Sequence, residues 1–204
     1  MHARLPKVWV QRQGTKRLFL AIPISSDWAD VFEACEASIL RVVPEIHPPI
    51  HWTKRNNFHI TVRFIGNVAE SCIPKLIVRI RAVLGRESAF TIPFDRLGIE
   101  TPNEPKMIWA KFRATQEFIG LVGRVTSSVT SFLENECGGL QLQNGHTVIP
   151  HVTLARCKGP IPAIPLPNLQ DMALHDLNVT TIVLHSSTTL TGGSVYTPLA
   201  TFTL

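Results

Sequence analysis

Two stretches of the chain alternate apolar and polar residues with the two-residue period of a half-buried strand. In Phe58-His59-Ile60-Thr61-Val62-Arg63-Phe64-Ile65-Gly66, the apolar Phe58, Ile60, Val62 and Phe64 fall on one face, and His59, Thr61 and Arg63 on the other. In Pro150-His151-Val152-Thr153-Leu154-Ala155-Arg156 the parity is the same, with Val152 and Leu154 opposed to His151 and Thr153. Residues i and i+2 of a strand share a face roughly 7 Å apart. Each stretch therefore shows an imidazole and a hydroxyl side by side against a hydrophobic wall.

The remaining pattern places these strands in a repeated order. Leu18 to Ile22 predicts a strand ending at Pro23, and Ser25 or Ser26 can cap the helix that follows, with Asp27 in its first turn. Trp28, Val31, Phe32, Cys35, Ile39, Val42 and Val43 recur at helical spacing until Pro44. Pro48 and Pro49 mark a loop before Trp52 and the first His-x-Thr strand. Pro74 suits a helical first turn, and Ile73, Leu76, Ile77, Ile80, Val83 and Leu84 form the next apolar stripe. Phe90 to Leu97 reads as one strand, followed by a turn at Pro102 and Pro105.

Met107 to Phe112 then predicts another strand, and Thr115 a cap. A long helix carries Phe118, Leu121, Val122, Val125, Val129, Phe132 and Leu133 on one face, with Gly138-Gly139 as its stop. The second His-x-Thr strand comes next. Gly159 to Pro167 reads as an exposed Pro-rich loop, and Val179 to Leu184 with Val195 to Leu204 as a closing hairpin across Gly192-Gly193. Strand, helix and His-x-Thr thus occur twice: Leu18 to His59 spans 41 positions and Ile108 to His151 spans 43. An internal duplication of this kind predicts an α+β fold of two pseudo-symmetric lobes, each an antiparallel-rich sheet with outer helices, the two polar strand faces meeting across a cleft.

Composition narrows the class. With 45% hydrophobic and 17% charged residues the 204-residue chain is globular, with enough apolar surface for a real core. A net charge of +5 favours an anionic partner, though only weakly. Cys35, Cys72, Cys137 and Cys157 have no CxxC spacing and are expected as free buried thiols. Residues 1–16 are read as a flexible basic extension without the apolar core of a signal peptide, and 17–204 as one bilobal domain. No run approaches the ~18 apolar residues of a membrane span, so a cytoplasmic monomer with no membrane partner is expected.

The chemistry follows from the two motifs. Imidazole, with an unperturbed pKa near 6.5, can accept or donate a proton at neutrality, so two facing histidines can divide base and acid roles. The hydroxyls of Thr61 and Thr153 can donate to non-bridging phosphate oxygens, and Arg156 offers a guanidinium fork to the same group. Arg63 shares the parity of His59. There is no Walker-type loop, no HExxH helix and no carboxylate in either motif. A zinc site from His51, His59 and His151 would lack a Cys or carboxylate ligand, and no metal or other cofactor is expected. His2, His47, His51, His146, His175 and His185 share no spacing and receive no role, and Trp52 reads as packing.

On these residues the sequence resembles the 2H phosphoesterase superfamily, and within it the branch of RNA 2′,3′-cyclic phosphodiesterases once called 2′-5′ RNA ligases. Arg17-Leu18-Phe19-Leu20-Ala21-Ile22-Pro23 is similar to that branch's opening strand. Trp52 through Gly66 resembles its first signature, Pro150 through Arg156 its second, and Leu184-His185-Ser186-Ser187 with Gly193 and Tyr196 its closing hairpin. Val62 stands where the family commonly has Leu, and His185 where it often has Tyr, at the cleft edge and apart from the two motifs. The resemblance implies metal-independent hydrolysis of RNA 2′,3′-cyclic phosphate ends to 2′-phosphomonoesters. Symmetry alone does not order the histidines; the resemblance implies His59 as proton donor and His151 as proton acceptor, with Thr61, Thr153 and Arg156 binding substrate. The alternatives are 2′-5′ ligation, cleavage of 2′-5′ oligonucleotides or cyclic nucleotides, and a non-catalytic RNA-binding module. A mere binder has no need of two proton-transfer groups.

Overall fold

Eight strands join into one antiparallel sheet whose middle is the meeting of the two His-x-Thr strands. The computed structural model describes residues 14–47, 49–100, 106–137, 149–169, 176–190 and 193–204. In chain order these form β1 (Thr15–Pro23), α1 (Ser26–Val42), β2 (Ile50–Trp52), β3 (His59–Ala69), α2 (Ile73–Leu84), β4 (Phe90–Ile92), β5 (Phe94–Glu100), β6 (Met107–Phe112), α3 (Gln116–Glu136), β7 (His151–Cys157), β8 (Leu177–Val179), β9 (Thr181–Leu190) and β10 (Gly193–Thr203). The large sheet runs β10-β9-β1-β3-β7-β6-β5, with β2 also paired to β7, and β4 pairs with β8 separately.

The helices start where the sequence places them. Thr115 caps α3 by accepting from the backbone N–H of Phe118, and Pro74 sits in the first turn of α2. Ser25 occupies the cap position of α1 but makes no side-chain cap bond. Strand residues Leu18, Leu20, Ile22, Ile60, Val62, Ile108, Ala110, Val152 and Leu154 join Phe32, Ile39, Leu76, Ile80, Phe118, Leu121 and Val125 of the helices in one core on one side of the sheet. The other side is left for the polar residues of the motifs.

The expected lobes are the two halves of this sheet, β10-β9-β1-β3 and β7-β6-β5, which meet through the pairing of Ile60 with Val152. They interlock, because α1 crosses to the second half, laying Trp28 against Phe94 at 5.4 Å and Phe112 at 5.3 Å. In return α3, from the second repeat, packs on β3 and α2.

The structure corrects several sequence expectations. The strand expected from Phe90 to Leu97 is two strands: Pro93 lacks a backbone N–H, so the ladder breaks there and β4 leaves for β8. β1 starts at Thr15, opposite Ala69, so residues 15 and 16 belong to the sheet and not to an extension. Cys72 and Cys137 form a disulfide joining the start of α2 to the end of α3, whereas Cys35 and Cys157 are buried thiols outside any disulfide. Spacing could not show that pair, because 65 positions separate cysteines that only helix packing brings together. Residues 1–13, Pro48, Pro102, Pro105, Gly138-Gly139 and Gly192 lie outside the described residues, as do His2, His146 and His175.

Candidate active site

His59 and His151 face one cleft because β3 and β7 run antiparallel with Ile60 opposite Val152. Both apolar residues turn into the core, so their neighbours turn the other way. Extending that register sets His59 across from Thr153 and Thr61 across from His151, a local two-fold arrangement. The cleft, of about 490 Å³, is lined by Arg17, Phe19, Thr53, Asn57, His59, Thr61, Phe64, Met107, Trp109, His151, Thr153, Arg156, Ser187, Ser194 and Tyr196. All five residues expected to act, His59, Thr61, His151, Thr153 and Arg156, line it together.

The strands separate here for a local reason. β2 and β3 lie along the same edge of β7, Ile50 to Trp52 opposite Cys157 to Ala155 and then Ile60 opposite Val152. The intervening residues leave the ladder after the Thr53 N–H donates to the Leu154 carbonyl, and make a 3-10 turn over Arg55–Asn57. That excursion puts Thr53 and Asn57 on the cleft wall. Asn57 is fixed in turn by donating to the carbonyl of Ser194 on β10 at 3.0 Å.

Each imidazole is anchored by the same device. His59 Nδ1 lies 2.7 Å from the carbonyl of Asn57, and His151 Nδ1 lies 2.8 Å from the carbonyl of Ile149. A carbonyl only accepts, so both Nδ1 atoms carry hydrogen, and Nε2 is left as the nitrogen available to a ligand. Arg156 is held by Met107 Sδ at 2.8 Å and reaches Thr153 Oγ1 at 3.4 Å.

Both histidines are held neutral by their surroundings. Burial pushes His59 from near 6.5 down to about 4; the Asn57 carbonyl opposes this, and His185, Arg156 and His151 add to it. His151 is also lowered, first by burial, against the pull of the Ile149 carbonyl, and then by Arg156. Glu100 works the other way on His151 but is itself paired to Lys111 at 2.8 and 2.9 Å. An anion between the rings would reverse the sign of their surroundings.

A strand bulge explains how Arg156 joins the motif. Trp109 pairs with Thr153 and Ile108 with Ala155, so Leu154 is an extra residue and the next side chain to face the cleft is Arg156. The same happens in β3: Ala21 pairs with Thr61 and Leu20 with Arg63, making Val62 the extra residue, and Phe64 is delivered to the cleft. Phe64 is therefore 61% exposed, and Ile65 takes the core position expected for it. Arg63 does not line the cleft, contrary to its simple parity with His59.

Sequence reasoning missed the rings that surround the histidines. Trp109 lies flat on His151, with centroids 3.9 Å apart at 20°. Phe19 and Tyr196 pack on His59 at 5.1 and 5.3 Å. His185, given no role, stacks on the far side of Phe19 at 5.2 Å and so stands one ring from His59. The pairing of β1 with both β3 and β9 brings these rings together, which no local pattern encodes. Trp52 packs against the core as expected. Among the described residues, no three His, Cys, Asp or Glu side chains converge as a metal-binding group, and no helix is long and apolar enough to cross a membrane.

Comparison with known proteins now gives the lineage. Residues 33–109 match the family model described as LigT like Phosphoesterase. The RNA 2′,3′-cyclic phosphodiesterase of Aeropyrum pernix is 30% identical over 156 residues, 74% of this chain and 84% of that protein. The chain belongs to the LigT-like phosphoesterase family. A Methanothermobacter thermautotrophicus protein with the same name is 23% identical over 200 residues, 92% of this chain and 98% of that one. Among solved structures, a Thermus thermophilus protein has a TM-score of 0.73 at 25% identity, covering 92% of this chain and 97% of that chain. E. coli LigT complexed with 3′-AMP has a TM-score of 0.70 at 22% identity, with 94% and 99% covered, a likeness of fold. This LigT-like phosphoesterase therefore has the family's mixed α+β fold.

Proposed function

We propose that the protein hydrolyses the 2′,3′-cyclic phosphate ends of RNA to 2′-phosphomonoesters, using its two histidines for proton transfer and no metal. The observation that carries this reading is the pair of carbonyl-anchored imidazoles, each with Nε2 available and a threonine hydroxyl opposite, on one cleft. Its relatives' names, RNA 2′,3′-cyclic phosphodiesterase, support the substrate.

In this mechanism His151 Nε2 takes a proton from water, and the water oxygen bonds to phosphorus. The phosphorus–O3′ bond breaks, and O3′ takes a proton from the Nε2 of protonated His59. The phosphate stays on O2′, leaving a free 3′-hydroxyl. Thr61, Thr153 and Arg156 donate to the non-bridging oxygens as charge builds on them. His59 must be protonated to serve as acid, and the bound phosphodiester anion supplies the opposite charge that raises it from its depressed value.

The decisive experiment follows an oligonucleotide ending in a 2′,3′-cyclic phosphate, in EDTA, and identifies the phosphate isomer formed. The expected product is the 2′-phosphomonoester alone. A 3′-phosphomonoester, or no opening at all, would overturn the reading. Loss of turnover in EDTA restored by a divalent ion would overturn the metal-free mechanism.

A further inference from the structure

His151 has a charged pair beside it that neither His-x-Thr motif supplies. Lys111 of β6 stands directly opposite His151 in the ladder, two residues from Trp109 and on the same cleft-facing side of the sheet. Residues opposite each other on neighbouring strands lie about 5 Å apart at Cβ, so the two stems start side by side. The Lys111 side chain is only 12% exposed, and both carboxylate oxygens of Glu100 hold its ammonium, at 2.8 and 2.9 Å.

Strand register alone does not bring Glu100 to this lysine. In the β5–β6 ladder Glu100 is opposite Met107, and the residue opposite Lys111 is Arg96. To reach Lys111, the Glu100 side chain runs back along β5 over the next residue on its face, Gly98. A Cβ built on Gly98 would lie 2.9 Å from Glu100 Oε1. Glycine in a strand interior weakens the strand, and Gly98 has no positive φ to call for it. The room it leaves for the carboxylate does call for it. Arg96 closes the far end of this seat, donating to the same Oε1 at 3.3 Å and to Asp95 at 2.6 Å.

Among the described residues, the charged and titratable groups set around His151 are Lys111 from β6, Glu100 with Arg96 and Asp95 from β5, Arg156 from β7 itself, and His59 from β3. Arg156 and Lys111 act against an imidazolium at His151, and Glu100 favours one. A base gains positive charge as it takes a proton from water, so its strength depends on whether the nearest ammonium is compensated. Without Glu100, two uncompensated cations would act on an imidazole that burial already disfavours as a cation.

We propose that Glu100 is a positioning residue for the base. Seated over Gly98, it holds Lys111 as a compensated pair, so that His151 takes its proton without an unbalanced ammonium opposite it. The pair thus serves the reaction as well as the joining of β5 to β6. The role of His151 as base rests on the hydrolytic reading above, but the effect of the pair on its titration does not, so the two can fail separately.

The test titrates His151 by imidazole NMR and follows kcat/KM against pH on a cyclic-phosphate oligonucleotide. It compares wild type with Glu100→Gln, Lys111→Met, the double variant and Gly98→Ala. Glu100→Gln leaves the ammonium uncompensated, and the His151 midpoint should fall by roughly 0.5 to 1.5 units. The acid limb of the profile should move down with it, and the weaker base should cost about two- to five-fold in kcat/KM at pH 7. Lys111→Met leaves the carboxylate and should move midpoint and limb upward, and the double variant should return both close to wild type. Gly98→Ala keeps every charge but crowds the carboxylate from its seat, so its midpoint should fall as in Glu100→Gln. Melting temperatures check that each variant is folded. A midpoint unmoved in Glu100→Gln or in Gly98→Ala, or moved the same way by the Glu100 and Lys111 variants, overturns the proposal. Opposite shifts in a protein that opens no cyclic phosphate leave the coupling to His151 standing and overturn the hydrolytic reading.

Discussion

The indole of Trp109 covers one face of the His151 imidazole, 3.9 Å between centroids and 20° from parallel. Two physical effects of this contact oppose each other. The indole excludes water, which disfavours the imidazolium, while its electron-rich face attracts the same cation. Burial is the largest cause of the lowered His151 pKa, and the stacked indole supplies part of that burial. Trp109→Ala should therefore raise the His151 titration, followed by imidazole NMR, toward 6.5. Losing the stack should cost roughly 2- to 12-fold in kcat/KM, from the 0.5–1.5 kcal/mol of an aromatic pair. A titration that falls would mean that the cation–π attraction is the stronger effect.

Thr61 and Thr153 differ in one respect: only Thr153 is in contact with Arg156. Replacing either with Val keeps the strand shape and removes a donor. Each change should cost about 2–4 kcal/mol of transition-state stabilisation, roughly 30- to 900-fold in kcat/KM, by analogy with an oxyanion-hole donor. Thr153→Val should also raise KM, because it leaves Arg156 with one fewer tether. Steady-state kinetics on a cyclic-phosphate oligonucleotide checks both. Near-wild-type rates in the pair would reduce the hydroxyls to ordinary strand formers.

What the sequence made legible was whatever its local pattern encodes. The period-two alternation located both His-x-Thr strands, and their repetition gave the duplicated plan, because a strand's parity holds over four or five residues. It failed where the ladder slips. Val62 and Leu154 each add one residue to their strands, which moves Phe64 from the core to the cleft and turns Arg63 away. No composition signal marks such a bulge, although the matched five-residue spacing from His59 to Phe64 and from His151 to Arg156 was present to be read. Phe19, Trp109 and Tyr196 come from β1, β6 and β10, and only the sheet order brings them to the histidines.

The depressed histidines predict acid sensitivity. His59 titrates near 4 in the folded chain and near 6.5 when unfolded. Between those values the unfolded state holds a proton that the folded state does not, so stability rises with pH through the window and is lost as pH falls from 6.5 toward 4. His151, lowered in the same direction, adds to the slope. His59→Gln should flatten it, as measured by urea midpoints at pH 5 and pH 7.5. Phosphate bound between the rings should flatten it too, by favouring the imidazolium. An equal slope in wild type and variant would place the acid sensitivity elsewhere.

The two histidines can be told apart by the leaving group. Their anchoring is the same, Nδ1–H to a carbonyl two residues upstream, so geometry alone does not say which gives a proton and which takes one. Their surroundings do differ. Burial pushes His59 down to about 4, with His185 and Arg156 adding to it, whereas His151 is lowered by burial, Arg156 and Lys111 against the pull of the Ile149 carbonyl and Glu100. A group pushed down this far starts out neutral, so His59 can protonate O3′, the role that the family resemblance implies, only once the bound phosphodiester anion has raised it, and His151 is left to deprotonate water. His59→Ala and His151→Ala should each nearly abolish hydrolysis while melting like the wild type. A substrate carrying a better leaving group in place of O3′ departs with little protonation, and it should partly restore turnover to His59→Ala and not to His151→Ala. Recovery of His151→Ala alone would exchange the two roles. Equal recovery in both, or full activity in either, would defeat the two-histidine mechanism.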